Sequence, residues 1–273
     1  QGGVKDPTNM MGMRLEVKAH IITVANNALH NLVKSVNNSG LHIDNYAINS
    51  LASSAGALTA EEKDLGVIMI DIGAGTADLS AFENGALLHT SAFDMGGEQI
   101  TIDISKHFRT SFNESERLKI KFGTALVENC DESEEIDAQL VGAMKLQKIK
   151  RIELAQVIEK NLTAMFQEIK KRIDKEDLID KAVCGIVLTG GVSETAGILE
   201  LCEKILELPA RIGSPINIIG VSDYVKKPEY STAVGLLALA FENEDLNIPA
   251  PSQNPFDFVF RKSREMIGSF FNF

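Results

Sequence analysis

Positive charge is scarce in this chain: 27 lysines and arginines stand against 38 aspartates and glutamates over 273 residues, a net charge of -11. That balance disfavours a nucleic-acid partner, because phosphate neutralisation needs a basic surface. Cysteine is scarce as well. Cys130, Cys184 and Cys202 are odd in number and scattered, without the spacing of a metal cluster, and read as reduced thiols with Cys184 and Cys202 in the core. No apolar run approaches the roughly 18 residues of a spanning helix, and no secretory leader opens the chain, which starts at Gln1. These absences lead us to expect a cytoplasmic polypeptide, neither exported nor transmembrane. With 44% hydrophobic and 24% charged residues, it has the material for one large or two modest cores.

What is present is concentrated in two glycine turns. Val67 to Asp71 reads as a buried strand running into Ile72-Gly73-Ala74-Gly75-Thr76-Ala77-Asp78, so the turn begins and ends with a carboxylate. Glycine permits positive φ and close backbone approach, converging N–H groups can hold phosphate oxygens, and a carboxylate at a strand end can hold a hydrated divalent cation. A plain hairpin needs glycine too. The second turn follows the apolar run Gly185 to Thr189: Gly190-Gly191-Val192-Ser193-Glu194 leads into a helical segment through Leu201. Helix starts after glycine turns favour anions, and two such turns distant in sequence can close one pocket. An ordinary strand-to-helix connection is the competing account.

Around these turns the pattern predicts further elements. Leu15, Val17, Ala19 and Ile21 alternate with polar residues and predict a strand with one buried face. Asn26 or Asn27 is a candidate cap for a helix carrying Leu29, Leu32, Val33 and Val36 on one side; Gly40 stops it, and Leu41 to Ile48 reads as another strand. The small residues between Ser50 and Ala60 suit a closely packed helix. Asn84-Gly85 marks a hairpin between Asp78–Phe82 and Ala86–Phe93, with a third strand reaching Gly96-Gly97. Glu116 and Lys119, three apart, can point the same way or form a solvated ion pair. Asn129 to Gln139 has the composition of an acidic loop, and Ile152, Ala155, Val157, Ile158, Leu162, Met165, Phe166 and Ile169 form the stripe of a long helix.

The last eighteen residues give a separate signal. Beyond a linker with Pro249, Pro251 and Pro255, a helix would gather Phe256, Val259, Phe260, Met266, Ile267, Phe270 and Phe271 on one side, with Arg261, Lys262, Arg264 and Glu265 opposite. This reads as an in-plane membrane anchor. Each large apolar side chain contributes about 1.5–3 kcal/mol if fully buried, and each cation roughly 1 kcal/mol near anionic lipid. A helix docked on its own domain is the alternative.

Asp71-Ile72-Gly73-Ala74-Gly75-Thr76 and Leu188-Thr189-Gly190-Gly191 resemble the second phosphate loop and the adenosine loop of the actin, Hsp70 and sugar-kinase superfamily. With Met13 to Thr23, Leu51-Ala52-Ser53-Ser54, Gly85 to Thr90, Arg211 to Pro215 and Tyr230 to Leu237, the likeness narrows to the FtsA family of actin-like divisome proteins, over nearly the whole chain. The resemblance implies an α/β, actin-like ATPase (ribonuclease H-like) fold with an incomplete first lobe, because the family's first phosphate loop has no counterpart here, plus the C-terminal amphipathic helix. It divides the chain into a partial subdomain 1C (1–48), a connecting segment (49–64), the first part of 2A (65–104), 2B (105–182), the second part of 2A (183–243), a linker (244–255) and the membrane-targeting helix (256–273).

By family position, Asp71 would hold hydrated magnesium and Gly73, Ala74, Gly75 and Thr76 the phosphates of ATP. Glu116 and Lys119 would face ribose and base, and Gly190, Gly191 and Ser193 the adenosine side. Ala74 stands where the family usually has glycine, which implies strain if positive φ is needed there. The implied function is a cell-division adaptor with at most slow ATP hydrolysis, which self-associates into filaments and ties FtsZ to anionic lipids on the cytoplasmic face of the membrane at the septum, alongside other divisome proteins. Lys150 and Arg151, with Lys148, would meet the acidic FtsZ tail. The alternatives are a pilus-assembly or cell-shape actin homologue, or a small-molecule kinase.

Overall fold

The computed structural model describes residues 10–17, 19–216, 218 and 222–245. They form two compact units, one of 10–21 with 49–238 and one of 22–48 with 239–245. In chain order the elements are α1 (Asn26–Asn38), α2 (Asn49–Ala57), α3 (Ala60–Leu65), β1 (Val67–Ile72), β2 (Ala77–Glu83), β3 (Ala86–Phe93), α4 (Gly97–Phe108), α5 (Phe112–Phe122), β4 (Glu135–Ala138), β5 (Gln147–Lys150), α6 (Arg151–Lys175), β6 (Ile186–Thr189), α7 (Ile198–Leu206), β7 (Ala210–Ile212), α8 (Ser222–Val225) and α9 (Ser231–Asp245).

The first unit is built on a sheet of order β3-β2-β1-β6-β7. All six residues of β1 are buried, as an unbroken apolar run in a central strand requires. Alternation along β1 and β6 then makes two cores. Ile68, Ile70, Ile72, Ile186 and Leu188 pack with Ile104 of α4, Leu118 of α5, Phe166 of α6 and Leu201 of α7. Val67, Met69 and Val187 face a smaller core with Leu51 and Ala57 of α2. On α6 the expected stripe is buried at Ala155, Ile158, Leu162, Met165, Phe166 and Ile169, while Ile152 and Val157 are half-buried. Cys202 is fully buried, which pushes its thiol up to about 12, whereas Cys184 is half-buried at the edge of the smaller core.

One local signal read from sequence has a clear structural counterpart. Asn84 and Gly85 both take positive φ, 55° and 73°, the turn that lets β2 and β3 pair with their native twist. Thr59 and Glu62 form a capping box at the start of α3. Glu62 also receives Nε and Nη2 of Arg211, each at 2.7 Å, and so clamps β7 to α3.

Other expectations are corrected. The described residues of 14–21 form no strand: Leu15, Val17 and Ile21 are exposed, and no partner strand among the described residues satisfies their backbone. Leu41 to Ile48 likewise forms none. Asn26 and Asn27 lie inside α1; Ala25 occupies the cap and offers no side-chain bond, although Gly40, at φ 80°, does follow the helix end. No third strand reaches Gly96-Gly97, because α4 begins there. The acidic segment contains β4, whose Ile136 and Ala138 are buried and whose ladder with β5 outweighs its loop-like composition.

On the smaller core's side, α2 and α9 cross at backbone distance. A methyl group on Gly56 would overlap the Ser231 carbonyl, and one on Gly235 the Ala52 carbonyl. Gly235→Ala should therefore lower stability by about 1–3 kcal/mol despite alanine's better helix propensity. The exposed Leu237→Ala should change it by less than about 0.5 kcal/mol. Urea denaturation of both variants checks the contrast.

Candidate functional site

Register brings the two turns together. Asp71 pairs with Thr189 across the parallel β1–β6 ladder and with Asp78 across the antiparallel β1–β2 ladder. Both glycine turns therefore leave the same end of neighbouring strands, side by side. Gly190 makes the closest approach: at φ 85° its Cα lies against Oδ1 of Asp71 and the carbonyl of Ile72, so a methyl there would overlap both.

The first turn is closed by the Gly73 N–H donating to the Thr76 carbonyl at 2.9 Å. It is seated on the N-terminus of α4, where Gly97 and Glu98 N–H groups donate to the Gly73 and Ala74 carbonyls at 3.0 and 2.8 Å. Gly96 has to be glycine for this contact, since a methyl would overlap the Ala74 carbonyl. None of the residues Gly73 to Thr76 takes positive φ, which corrects the expectation of strain at Ala74. The glycines serve approach from outside instead. Ala74, Gly75 and Thr76 are exposed, and a methyl on Gly75 or Gly191 would meet nothing within 4 Å.

The remaining predicted residues gather near this seam. Glu116 and Lys119 form an ion pair at 2.8 Å that is half-buried against α4 rather than solvated. Lys119 Nζ donates to the Gly97 carbonyl at 2.9 Å and to Thr101 Oγ1 at 2.7 Å, while the Thr101 hydroxyl bonds Glu116. Gly97 in turn touches Val192 of the second turn, linking the two halves. Ser193 is buried, and its hydroxyl donates to the Gly190 carbonyl at 2.7 Å, shaping the turn from within.

The electrostatics are those of two crowded carboxylates. Burial holds the Asp71 carboxyl above its usual value, partly offset by a hydrogen bond from Thr232, at 2.9 Å, and by the nearby Ser53 hydroxyl. Asp78 is raised by burial and by the Asp71 charge beside it, offset by Thr76 and Asn49. Among the described residues neither carboxylate pairs with a lysine or arginine. Hard oxygen donors beside turns with open space at Gly75 and Gly191 fit a hydrated magnesium ion, which would relieve this repulsion. Asn49, Ser53, Gly96, Gly97 and Thr232 were not singled out in sequence. Ser53 and Thr232 do fall in the segments Leu51 to Ser54 and Tyr230 to Leu237, but their chemistry appears only when α2 and α9 are placed.

Of the two remaining predicted regions, one lies apart from this seam and the other outside the described residues. Lys150 is exposed at the β5–α6 junction, but Arg151 is already committed, donating to the Phe122 carbonyl at 2.9 Å and pairing with Glu134 at 2.8 Å. The predicted anchor residues Phe256, Val259, Phe260, Arg261, Lys262, Arg264, Ile267, Phe270 and Phe271 lie outside the described residues. A surface depression is lined by Val127, Gln156, Glu159, Lys160, Thr163, Ala164 and Gln167, none of which belongs to the paired turns. We place the candidate site at the turns because converging glycines and unpaired carboxylates offer chemistry that this depression does not.

The family model for "Cell division protein FtsA" matches residues 68–235, more than half of the chain. The chain belongs to the FtsA family. It is 38% identical over 244 residues to cell division protein FtsA of Pseudomonas aeruginosa, covering 89% of this chain and 58% of that protein. To FtsA of Neisseria meningitidis it is 40% identical over 252 residues, covering 92% and 61%. The chain thus spans about three-fifths of the length of these FtsA relatives. Its fold is actin-like: MreB5 of Spiroplasma citri bound to AMPPNP superposes with a TM-score of 0.67 at 18% identity, over 82% of this chain and 68% of that one. MamK in a double helical filament gives 0.59 at 16%, over 80% and 66%.

Because Asp71 and Asp78 ionise less readily folded than unfolded, the folded state binds more protons just above the ordinary carboxylate value of 3.8. Their contribution to stability therefore declines as pH rises through that interval. Asp71→Asn should raise the melting temperature at pH 7, with the advantage shrinking as pH falls towards 4. Calorimetry across pH reads this, and a lower melting temperature at pH 7 would contradict it.

Proposed function

We propose that this chain is the nucleotide-binding part of an FtsA-family adaptor that holds ATP with magnesium, self-associates into filaments and ties FtsZ to the cytoplasmic face of the membrane at the septum. The observation that carries the nucleotide reading is the adjacency of the two glycine turns beside Asp71 and Asp78. Backbone N–H groups of Ala74 to Thr76 meet the phosphates, while that of Gly73 closes the turn on the Thr76 carbonyl, and Asp71 accepts from water on the metal. Gly190 and Gly191 leave room for the adenosine, while Glu116 and Lys119 border it through Gly97. Magnesium, when bound, neutralises phosphate charge. We assign binding with at most slow hydrolysis, which makes the protein chiefly an adaptor.

Support for the nucleotide comes from a solved neighbour of the same fold that carries AMPPNP, and support for self-association from one that forms a double helical filament. For the FtsZ tail, acidic and apolar, the exposed Lys150 and Lys148 offer complementary charge; Lys148 is 3.5 Å from Asp137. Arg151 supports this surface indirectly by fixing the start of α6. For lipid, the support is the amphipathic pattern of 256–273. The subdomain division read from sequence remains part of this proposal.

Gly190→Ala should weaken labelled ADP binding at least about tenfold, since a methyl at positive φ costs of order 1–3 kcal/mol and displaces the turn. Fluorescence anisotropy measures it, and unchanged affinity would argue against this pocket. Flotation with phosphatidylglycerol vesicles and a labelled FtsZ tail peptide tests the adaptor. The whole chain should carry the peptide upward, and deletion of 256–273 should leave both at the bottom. Equal flotation of the two forms would remove the anchor assignment.

A further inference from the structure

α9 reaches the candidate site across 161 residues of sequence. The hydroxyl of Thr232, on its first turn, donates to Oδ2 of Asp71 at 2.9 Å, whereas the hydroxyl of Ser53 donates to the Asn49 carbonyl at 3.0 Å within α2. Oδ1 lies against the backbone of Gly190. The donor is itself held in place. Ser231 Oγ is 2.7 Å from Thr189 Oγ1, which also lies 2.8 and 3.1 Å from the Gly213 and Pro228 carbonyls. One turn further on, Gly235 packs on the Ala52 backbone, so α9 cannot slide along α2.

A carboxylate's terminal torsion is soft, and a hydroxyl donor at a fixed point on one oxygen, with the Gly190 backbone against the other, selects one orientation of its plane. A hydrated divalent cation is sensitive to that orientation, because outer hydrogen bonds set how an acidic ligand is presented. We infer that Thr232 is a positioning residue for the cation-dependent part of nucleotide binding: its hydroxyl sets the plane in which Asp71 meets the hydrated cation. This rests on the nucleotide reading of the same site. The hydroxyl of Thr232 is engaged with Asp71, so its effect reaches a ligand through the carboxylate. Valine copies the shape of threonine without the hydroxyl, and serine keeps the hydroxyl.

The test compares the 273-residue chain with its Thr232→Val and Thr232→Ser variants, titrating labelled ADP with magnesium and again with EDTA. In Thr232→Val the gain in affinity that magnesium brings should fall about tenfold while affinity in EDTA is unchanged, and Thr232→Ser should restore the gain. An unchanged magnesium gain, or an equal loss with and without magnesium, would overturn the assignment. The crystal structure of Thr232→Val is the second readout: a rotated Asp71 carboxylate supports the role, and an unmoved one refutes it. If the unmodified chain binds no nucleotide, the nucleotide reading fails, and the carboxylate's orientation in Thr232→Val alone decides whether Thr232 positions it.

Discussion

The parallel pairing of β1 with β6 is the contact on which the site depends. It aligns Asp71 with Thr189, so two turns far apart in sequence leave one sheet edge together. Parallel strands need covered faces, and the two cores supply them: α4 to α7 on one side, α2 on the other. Close packing at the seam follows from that alignment. Gly190 can lie on the Asp71 carboxylate only because it lacks a side chain and tolerates a φ of 85°.

The same alignment costs stability. It buries Asp71 and sets Asp78 directly across the ladder, with hydroxyl and amide donors rather than cations as their described partners. Such crowding is poorly suited to a purely structural strand end and well suited to a cation with phosphate oxygens. The helices share in this arrangement. Small residues let α2 and α9 approach at backbone distance, and that approach sets Thr232 against the Asp71 carboxylate.

Much of this was legible in sequence wherever a local pattern is sufficient. The apolar run of β1, the Asn84-Gly85 turn, the stripe on α6 and the two glycine turns each rest on short-range geometry. Patterns that need a distant partner were misleading. Alternation over 14–21 states a preference for pairing, yet no described strand pairs with it. Acidic composition hid β4, whose alternate residues Ile136 and Ala138 turn inward against a partner in β5. Glycine at 73 and 75 suggested positive φ, whereas the backbone is ordinary and the missing side chains leave the outer surface clear. Thr232 could not be assigned from sequence, because its partner lies 161 residues earlier.

The central claim is that both turns contact one bound nucleotide, and amide spectra with a paramagnetic ligand test it most directly. Manganese-ADP, added to the isotopically labelled chain, should broaden the amides of Gly73 to Thr76 and of Gly190 and Gly191 together, at the same concentration. Broadening confined to one turn, or to neither, would contradict the account.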